Sequence, residues 1–220
     1  MKKTQSQQYI PPLKYNFLTK WYDVVVRFST REILFKNELI KQAVFMSGEH
    51  VLDLGCGTGT LTKMIVATNK GVEITGLDAD TFALEIAKSK LAKFCDYILL
   101  KQGYAQEMPF KNEGFDVVVS SLFFHHLTKQ EKLETLHEAY RVLKPGGRIH
   151  IADWGRPSSI IQRILFYIVQ ILDGFETTQD SVNDILPTLL EESGFSSIEG
   201  GKSIPTMLGT ITLIQASKSE

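Results

Sequence analysis

Residues 51–60 read Val-Leu-Asp-Leu-Gly-Cys-Gly-Thr-Gly-Thr, and this stretch decides the fold. An apolar run ends in a carboxylate, Asp53, and predicts a buried strand over His50–Leu54. Gly55, Gly57 and Gly59 then let the backbone turn tightly and lie against a ligand with no Cβ in the way. Leu61, Met64 and Ile65 follow at helical spacing, so the loop is expected to open a helix whose free N–H groups point back at the site. A strand–loop–helix unit of this kind suits a nucleotide-like cofactor.

Spacing and charge narrow the choice. The dinucleotide fingerprint G-x-G-x-x-G is not met, because position 60 is Thr. A phosphate-binding P-loop needs Lys followed by Ser or Thr after the last glycine, and none is there. Asp53 would repel a pyrophosphate but suits an ammonium group or an ordered water; equally, it could cap the loop's own N–H groups. A second apolar run, 72–78, stops at Asp78. An acid about 20 residues beyond a glycine loop can accept hydrogen bonds from both ribose hydroxyls of a nucleoside. Its other reading is a cap for a helix starting near Thr81, a role that Asp80 can fill instead.

The segments Gly55–Gly59 and Asp78 resemble motifs I and II of the class I S-adenosylmethionine-dependent methyltransferases. The segments 115–127, Phe-Asp-Val-Val-Val-Ser-Ser-Leu-Phe-Phe-His-His-Leu, and 141–148, Arg-Val-Leu-Lys-Pro-Gly-Gly-Arg, are similar to that family's fourth- and fifth-strand signatures. The resemblance runs from about Lys14 to Lys218, and is nearest to the small-molecule branch containing the ubiquinone/menaquinone biosynthesis C-methyltransferases. It implies an α/β fold: a doubly wound, mostly parallel seven-stranded sheet with helices on both faces and a C-terminal antiparallel strand. It also implies S-adenosylmethionine as cofactor, leaving as S-adenosylhomocysteine. The residues it assigns to that cofactor are Asp53, Gly55, Cys56, Gly57, Thr58, Gly59, Asp78, Ala79, Tyr104, Ala105 and Ser121. Tyr104 departs from the pattern, because the family commonly places Asp or Asn there to meet the adenine amino group; an adenine-pocket position is expected for Tyr104 and Ala105. Ser121, by its place in the motif, matches the residue that contacts the methionine part. The motifs speak for the donor and leave the acceptor open.

Composition agrees with one enzyme domain. At 220 residues with 43% apolar content, the chain can bury a full core. Its 24 basic and 25 acidic side chains argue against a nucleic-acid-binding surface. Of two cysteines, Cys56 sits inside the glycine loop and Cys95 elsewhere, and neither has metal-ligand spacing, so no metal is expected. This usage fits a reducing compartment. Met1–Gln8 is polar, no signal pattern is recognised, and no run reaches the ~20 apolar residues that span a bilayer. A cytoplasmic protein is expected.

Along the chain, residues 1–12 are expected to be a flexible tail and 13–220 a single domain, with helices in 13–46 (around Trp21–Phe28 and Thr30–Met46). Strands are expected near 50–54, 73–78, 97–101 and 115–120, each rich in Val, Ile or Leu as doubly buried strands are. A helix over Lys129–Leu143 should bury Leu133, Leu136, Tyr140 and Leu143 and turn Glu131, Glu134 and Glu138 to water. Residues 144–147, Lys-Pro-Gly-Gly, should stop it and lead into a fifth strand, Arg148–Asp153. A helix through Val182–Leu190 ends at Gly194, with Pro187 kinking or splitting it. Strands Ser197–Ile204 and Thr210–Ala216 complete the sheet.

Three further features concern the acceptor. His125 and His126 offer a base that takes a proton from an acceptor hydroxyl or enol. Adjacent histidines are not expected to face the same way, and His125 is the candidate; a structural pair is the other reading. His137 and His150 are read as structural. Asp153, ending the fifth strand, is read equally as facing the acceptor or as structural. Between residues 156 and 180 lies an apolar insertion. Ten of the thirteen residues Ile160–Leu172 are Ile, Leu, Val, Phe or Tyr, so this element must be buried or meet apolar surface. It is read as a wall for a hydrophobic substrate, with Trp21, Tyr22 and Trp154, or as core packing, or as a dimer contact. The expected chemistry is transfer of a sulfonium methyl to a small, hydrophobic quinol-, phenol- or lipid-like acceptor; the alternatives are a non-catalytic cofactor-binding domain and a nucleotide-dependent oxidoreductase. Transient membrane contact and a homodimer stay open.

Overall fold

The computed structural model describes residues 31–220. The expected tail and the helix around Trp21–Phe28 lie outside the described residues, as do Trp21 and Tyr22 themselves.

The first described element is α1 (Glu32–Ala43), shorter than the expected 30–46 because Val44 turns the chain into the left-handed region at φ 46°. Then follow β1 (His50–Leu54), α2 (Thr60–Thr68), β2 (Glu73–Asp78), α3 (Thr81–Leu91), β3 (Ile98–Gln102) and β4 (Phe115–Ser121). A 3₁₀ turn over Phe124–His126 precedes α4 (Lys129–Val142), which runs into β5 (Leu143–Gly155). The chain ends in α5 (Ile160–Asp173), α6 (Phe175–Val182), α7 (Leu186–Glu192), β6 (Ser196–Pro205) and β7 (Thr210–Ser217).

The strands form one seven-stranded sheet in the order β3-β2-β1-β4-β5-β7-β6. β1, β2, β3, β4 and β5 are parallel, and β7 runs antiparallel to both β5 and β6. The expected doubly wound sheet with one antiparallel strand is therefore the observed one. Strand order reverses between β1 and β4, where Asp53 pairs with Val119 and Leu54 with Ser120. In such sheets a crevice opens beyond the carboxyl ends at the reversal.

Burial follows position in the sheet. Val51, Leu52, Leu54, Val117, Val118 and Val119 are fully buried between two layers of helices. β3 departs from the doubly buried expectation: Leu99 is 59% exposed, because β3 closes the sheet and has a neighbour on one side alone.

Local chemistry explains the remaining boundaries. Thr128 and Glu131 form a reciprocal cap at the start of α4, and Glu138 accepts from Arg141 and from the Met108 N–H. Glu134 accepts from the Gln130 amide on the same helix, so all three glutamates expected to face water take part in hydrogen bonds. Residues 144–147 do not separate α4 from a later strand. β5 begins at Leu143, pairs with Phe115, and passes through a bulge before Arg148 meets Val117. Pro187 splits the expected C-terminal helix, since it cannot donate within a helix interior but suits a first turn; it stands in the first turn of α7.

The apolar insertion folds as α5 and α6, separated by Gly174. α5 packs through Phe166, whose ring lies 5.4 Å from that of Trp154, and Gln162 donates to the carbonyls of Thr206 and Gly209. Lys132 of α4, itself buried, donates to Asp180 Oδ2 (2.9 Å) and to the Thr177 carbonyl (2.8 Å), fastening α6 to the body.

Candidate functional site

The glycine loop is tied to the neighbouring strand through its backbone. The N–H groups of Gly55 and Cys56 both donate to the Leu77 carbonyl, and that of Gly57 donates to Asp78 Oδ2 at 2.7 Å. Asp78 Oδ1 accepts from the Asp80 N–H at 2.9 Å. Gly55 holds φ 70°, and a Cβ on it would clash with Phe123, against its Cδ2 and 2.8 Å from its Cβ, so the bend favours glycine. The two segments singled out in the sequence, 55–59 and 78, are thus one hydrogen-bonded unit. Asp80 caps α3 by accepting from Phe82 and Ala83, which frees Asp78 of the capping role.

Asp53 is 1% exposed. Its Oδ2 accepts from the Thr62 hydroxyl at 2.5 Å, whereas Oδ1 is buried with no hydrogen-bond partner. The loop N–H groups are satisfied elsewhere, so the reading of Asp53 as their cap is corrected. Burial pushes its carboxyl up to about 6, against the lowering effects of the Thr62 hydrogen bond and the Lys36 charge. Oδ1 is thus a buried acceptor with its hydrogen-bonding capacity unspent. Burial likewise raises Asp78, although its backbone hydrogen bonds oppose this. Neither Thr62 nor Lys36 was singled out by sequence; the signal for Thr62 is its place on the helix that the loop opens.

The remaining expected residues lie at the carboxyl ends of β1, β2, β3 and β4 or in the loops that follow them. Gly103 N–H donates to the Asp78 carbonyl, which brings Tyr104 (47% exposed) and the buried Ala105 to the end of β2. Thr58 accepts from Lys90 at 2.9 Å. Cys56 is buried, and its thiol is pushed up by burial and by the charges of Asp53 and Asp78. Ser120 is fully buried and donates to the Leu54 carbonyl at 2.9 Å, leaving Ser121, half-buried, as the available hydroxyl.

Beyond β4 and β5 lies a second cluster. His125 is 1% exposed; its Nδ1 lies 2.7 Å from Asp153 Oδ1 and its Nε2 lies 3.8 Å from Asp173 Oδ2. Asp153 also accepts from the N–H groups of Phe123, His125 and Trp154, so it supports His125 rather than facing a ligand. Burial works against a charged His125, but the charge and hydrogen bond of Asp153, with the charge of Asp173, hold it above the usual histidine range. Burial would raise Asp153, yet His125 holds it below the usual carboxylate range. Burial raises Asp173.

The two histidines do not point apart as expected. The 3₁₀ turn brings their ring centroids to 3.9 Å, and donor atoms of His125, His126 and Asp173 lie within 4.8 Å of one another. His126 is held well below the usual range by burial and by the His125 charge. Asp173 went unnoticed in the sequence; its signal is that it is the single acid closing a thirteen-residue apolar run. His150 is buried with neither ring nitrogen partnered, and burial, with the Arg148 charge, brings it down to about 4. His137 is exposed on α4.

With this geometry in place, similarity to known proteins is informative. A family model described as a methyltransferase domain matches residues 51–147. An uncharacterized methyltransferase of Anoxybacillus flavithermus is 38% identical over 115 residues, 52% of this chain and 51% of that protein. An uncharacterized methyltransferase of Synechocystis is 31% identical over 181 residues, 80% of this chain and 82% of the relative. A demethylmenaquinone methyltransferase of Symbiobacterium thermophilum is 34% identical over 134 residues, 60% of this chain and 53% of that protein. The chain thus spans about half the length of two of these three relatives and most of the third. Among solved structures, a putative methyltransferase of Bacillus halodurans superposes with a TM-score of 0.67 at 22% identity, covering 84% of this chain and 99% of that one.

Proposed function

This chain belongs to the class I S-adenosylmethionine-dependent methyltransferases, and we propose that it methylates a small hydrophobic acceptor bearing an ionisable hydroxyl, a quinol or phenol. The carrying observation is the buried Asp153–His125 pair at the carboxyl end of the sheet, roofed by the apolar α5. A quinol ring becomes a strong nucleophile at oxygen or at ring carbon when its hydroxyl proton is removed, and that removal needs a base out of water.

The cofactor, when bound, supplies an electrophilic methyl on a sulfonium that is already a good leaving group. The residues of this chain hold it and prepare the acceptor. In this reading Gly55, Cys56, Gly57, Thr58 and Gly59 give it backbone to lie against. Asp78 accepts from its ribose hydroxyls, with Ala79 beside it. Tyr104 and Ala105 line the adenine. The free Oδ1 of Asp53 accepts from its ammonium group, and Ser121 meets the methionine part. His125 takes the acceptor proton, with Asp153 orienting its ring and stabilising the charge that forms. Trp154 and the inward side of α5 exclude water around it.

Relatives support the acceptor class: one carries the name demethylmenaquinone methyltransferase and another ubiquinone/menaquinone biosynthesis C-methyltransferase. The test is a methyl-transfer assay with labelled S-adenosylmethionine over reduced naphthoquinols, monophenols and small amines. Label in the quinol or phenol alone is expected. Label confined to amines would overturn the proposal.

A further inference from the structure

Among the described residues, one group of His, Cys, Asp and Glu side chains converges closely enough to hold a metal ion. It is His125, His126 and Asp173, with one donor atom from each within 4.8 Å of the other two. We propose that these three side chains form a site for a single first-row divalent transition-metal ion, and that an ion held there takes the His125 base out of service. Binding of the ion needs nothing of the proposed reaction; the loss of activity rests on His125 being its base.

The fold brings the ligands from two distant segments. The 3₁₀ turn over Phe124–His126 stacks the two imidazoles with their centroids 3.9 Å apart. Asp173 is the last residue of α5, and its Oδ2 lies 3.8 Å from His125 Nε2. Nitrogen and oxygen ligands roughly 2.0–2.2 Å from a tetrahedral ion stand about 3.4 Å apart. His125 and Asp173 are therefore within a few tenths of an ångström of ligand spacing. Phe166 anchors α5 against Trp154, and Lys132 anchors α6 through Asp180, so Asp173 is held between two fastened segments.

A second observation points to a ligand at Nε2. Asp153 Oδ1 lies 2.7 Å from His125 Nδ1, and the N–H groups of Phe123, His125 and Trp154 fix the Asp153 carboxylate. A carboxylate behind one ring nitrogen of a histidine orients the other nitrogen toward a metal and raises its basicity. The histidine pair thus meets two carboxylates, Asp153 and Asp173, while the neighbouring Lys132 is spent on Asp180. A dication balances both acids. His125 is buried but His126 and Asp173 are half-buried, which leaves the ion an entry. Three protein ligands with a fourth position open make an exchangeable site rather than a closed structural one.

Two imidazoles and one carboxylate favour Zn²⁺, Co²⁺ or Ni²⁺ over Mg²⁺ and Ca²⁺, which take oxygen ligands. His125 Nε2 has one lone pair. It holds the ion or accepts the acceptor's proton, and never both.

Calorimetric titration of the tag-free full chain with Zn²⁺ tests the site, with Co²⁺ absorption as a second readout. One Zn²⁺ per chain should bind, and Mg²⁺ should not. His126→Gln and Asp173→Asn should each weaken Zn²⁺ by about tenfold or more, and Asp153→Asn by about 10- to 100-fold. At a Zn²⁺ concentration that saturates the wild type, its methyl transfer should be lost, whereas His126→Gln should hold most of its own metal-free rate. If His126→Gln does not fold, Asp173→Asn gives the same affinity reading. No saturable Zn²⁺ binding, or binding that both variants leave unchanged, would overturn the site and leave the base assignment untouched. Zn²⁺ bound through these residues with methyl transfer undiminished would overturn the inhibition, and with it His125 as the base, while the metal site stood.

Discussion

His125 Nδ1 and Asp153 Oδ1 lie 2.7 Å apart, both side chains nearly sealed from water. Asp153 sits on β5 and His125 on the turn after β4, so the contact joins two adjacent strand ends at the mouth of the crevice. A base must be neutral to work, and His125 is held above the usual range, so activity should rise with pH through that raised value. Asp153→Asn removes the anion and shifts that limb to lower pH. It should cost about 100- to 10,000-fold in kcat while S-adenosylhomocysteine affinity stays put. The pH profile of kcat, read beside calorimetric affinity, checks both.

The same pair has a stability signature. The raised His125 contributes stability that is complete below its unfolded value of about 6.5 and is lost as pH rises through its folded value. The lowered Asp153 contributes stability present above about 3.9 and lost as pH falls through its folded value. His125→Gln should flatten the decline of unfolding free energy above neutrality, as measured by denaturant titrations across pH. An unchanged slope would sink this reading.

Asp53 predicts a pH dependence of cofactor binding. Burial puts its carboxyl at about 6, and a bound ammonium group favours the ionised form, so binding drives a proton off below that pH. Affinity for S-adenosylmethionine should hold above neutrality and fall on acidification, by at most about tenfold per pH unit below 6. Calorimetry at several pH values measures it, and Asp53→Asn should abolish the dependence.

Asp78→Ala removes the acceptor that also anchors the Gly57 N–H. S-adenosylmethionine affinity should drop by about 1–3 kcal/mol. Equal affinity in a folded variant would remove Asp78 from the ribose.

Lys132→Met keeps the stem and deletes the ammonium that holds Asp180 and the Thr177 carbonyl. Loss of about 2 kcal/mol of unfolding free energy is expected, mostly from the acceptors left behind. Chemical denaturation reads it directly.

Much of this was legible in the residues. Buried parallel strands write themselves as Val- and Leu-rich runs, and the glycine loop with Asp78 marks the crevice, so order, hairpin and loop are all foreseeable. What escaped depends on tertiary placement. The partners of Asp53 and His125 come from other segments: Thr62 from the following helix and Asp173 from 48 positions beyond His125. The stacking of the two histidines comes from a 3₁₀ turn that residue type does not announce. Leu99 is as apolar as its neighbours yet exposed, because edge position is a property of the whole sheet. The apolar α5 reads the same whether its outward side meets core, copy or lipid.

The most direct measurement is a calorimetric titration of the protein with S-adenosylhomocysteine and, separately, with NAD. Saturable binding of the sulfur nucleoside and no heat from the dinucleotide are expected. Heat from NAD alone would contradict the crevice assignment outright.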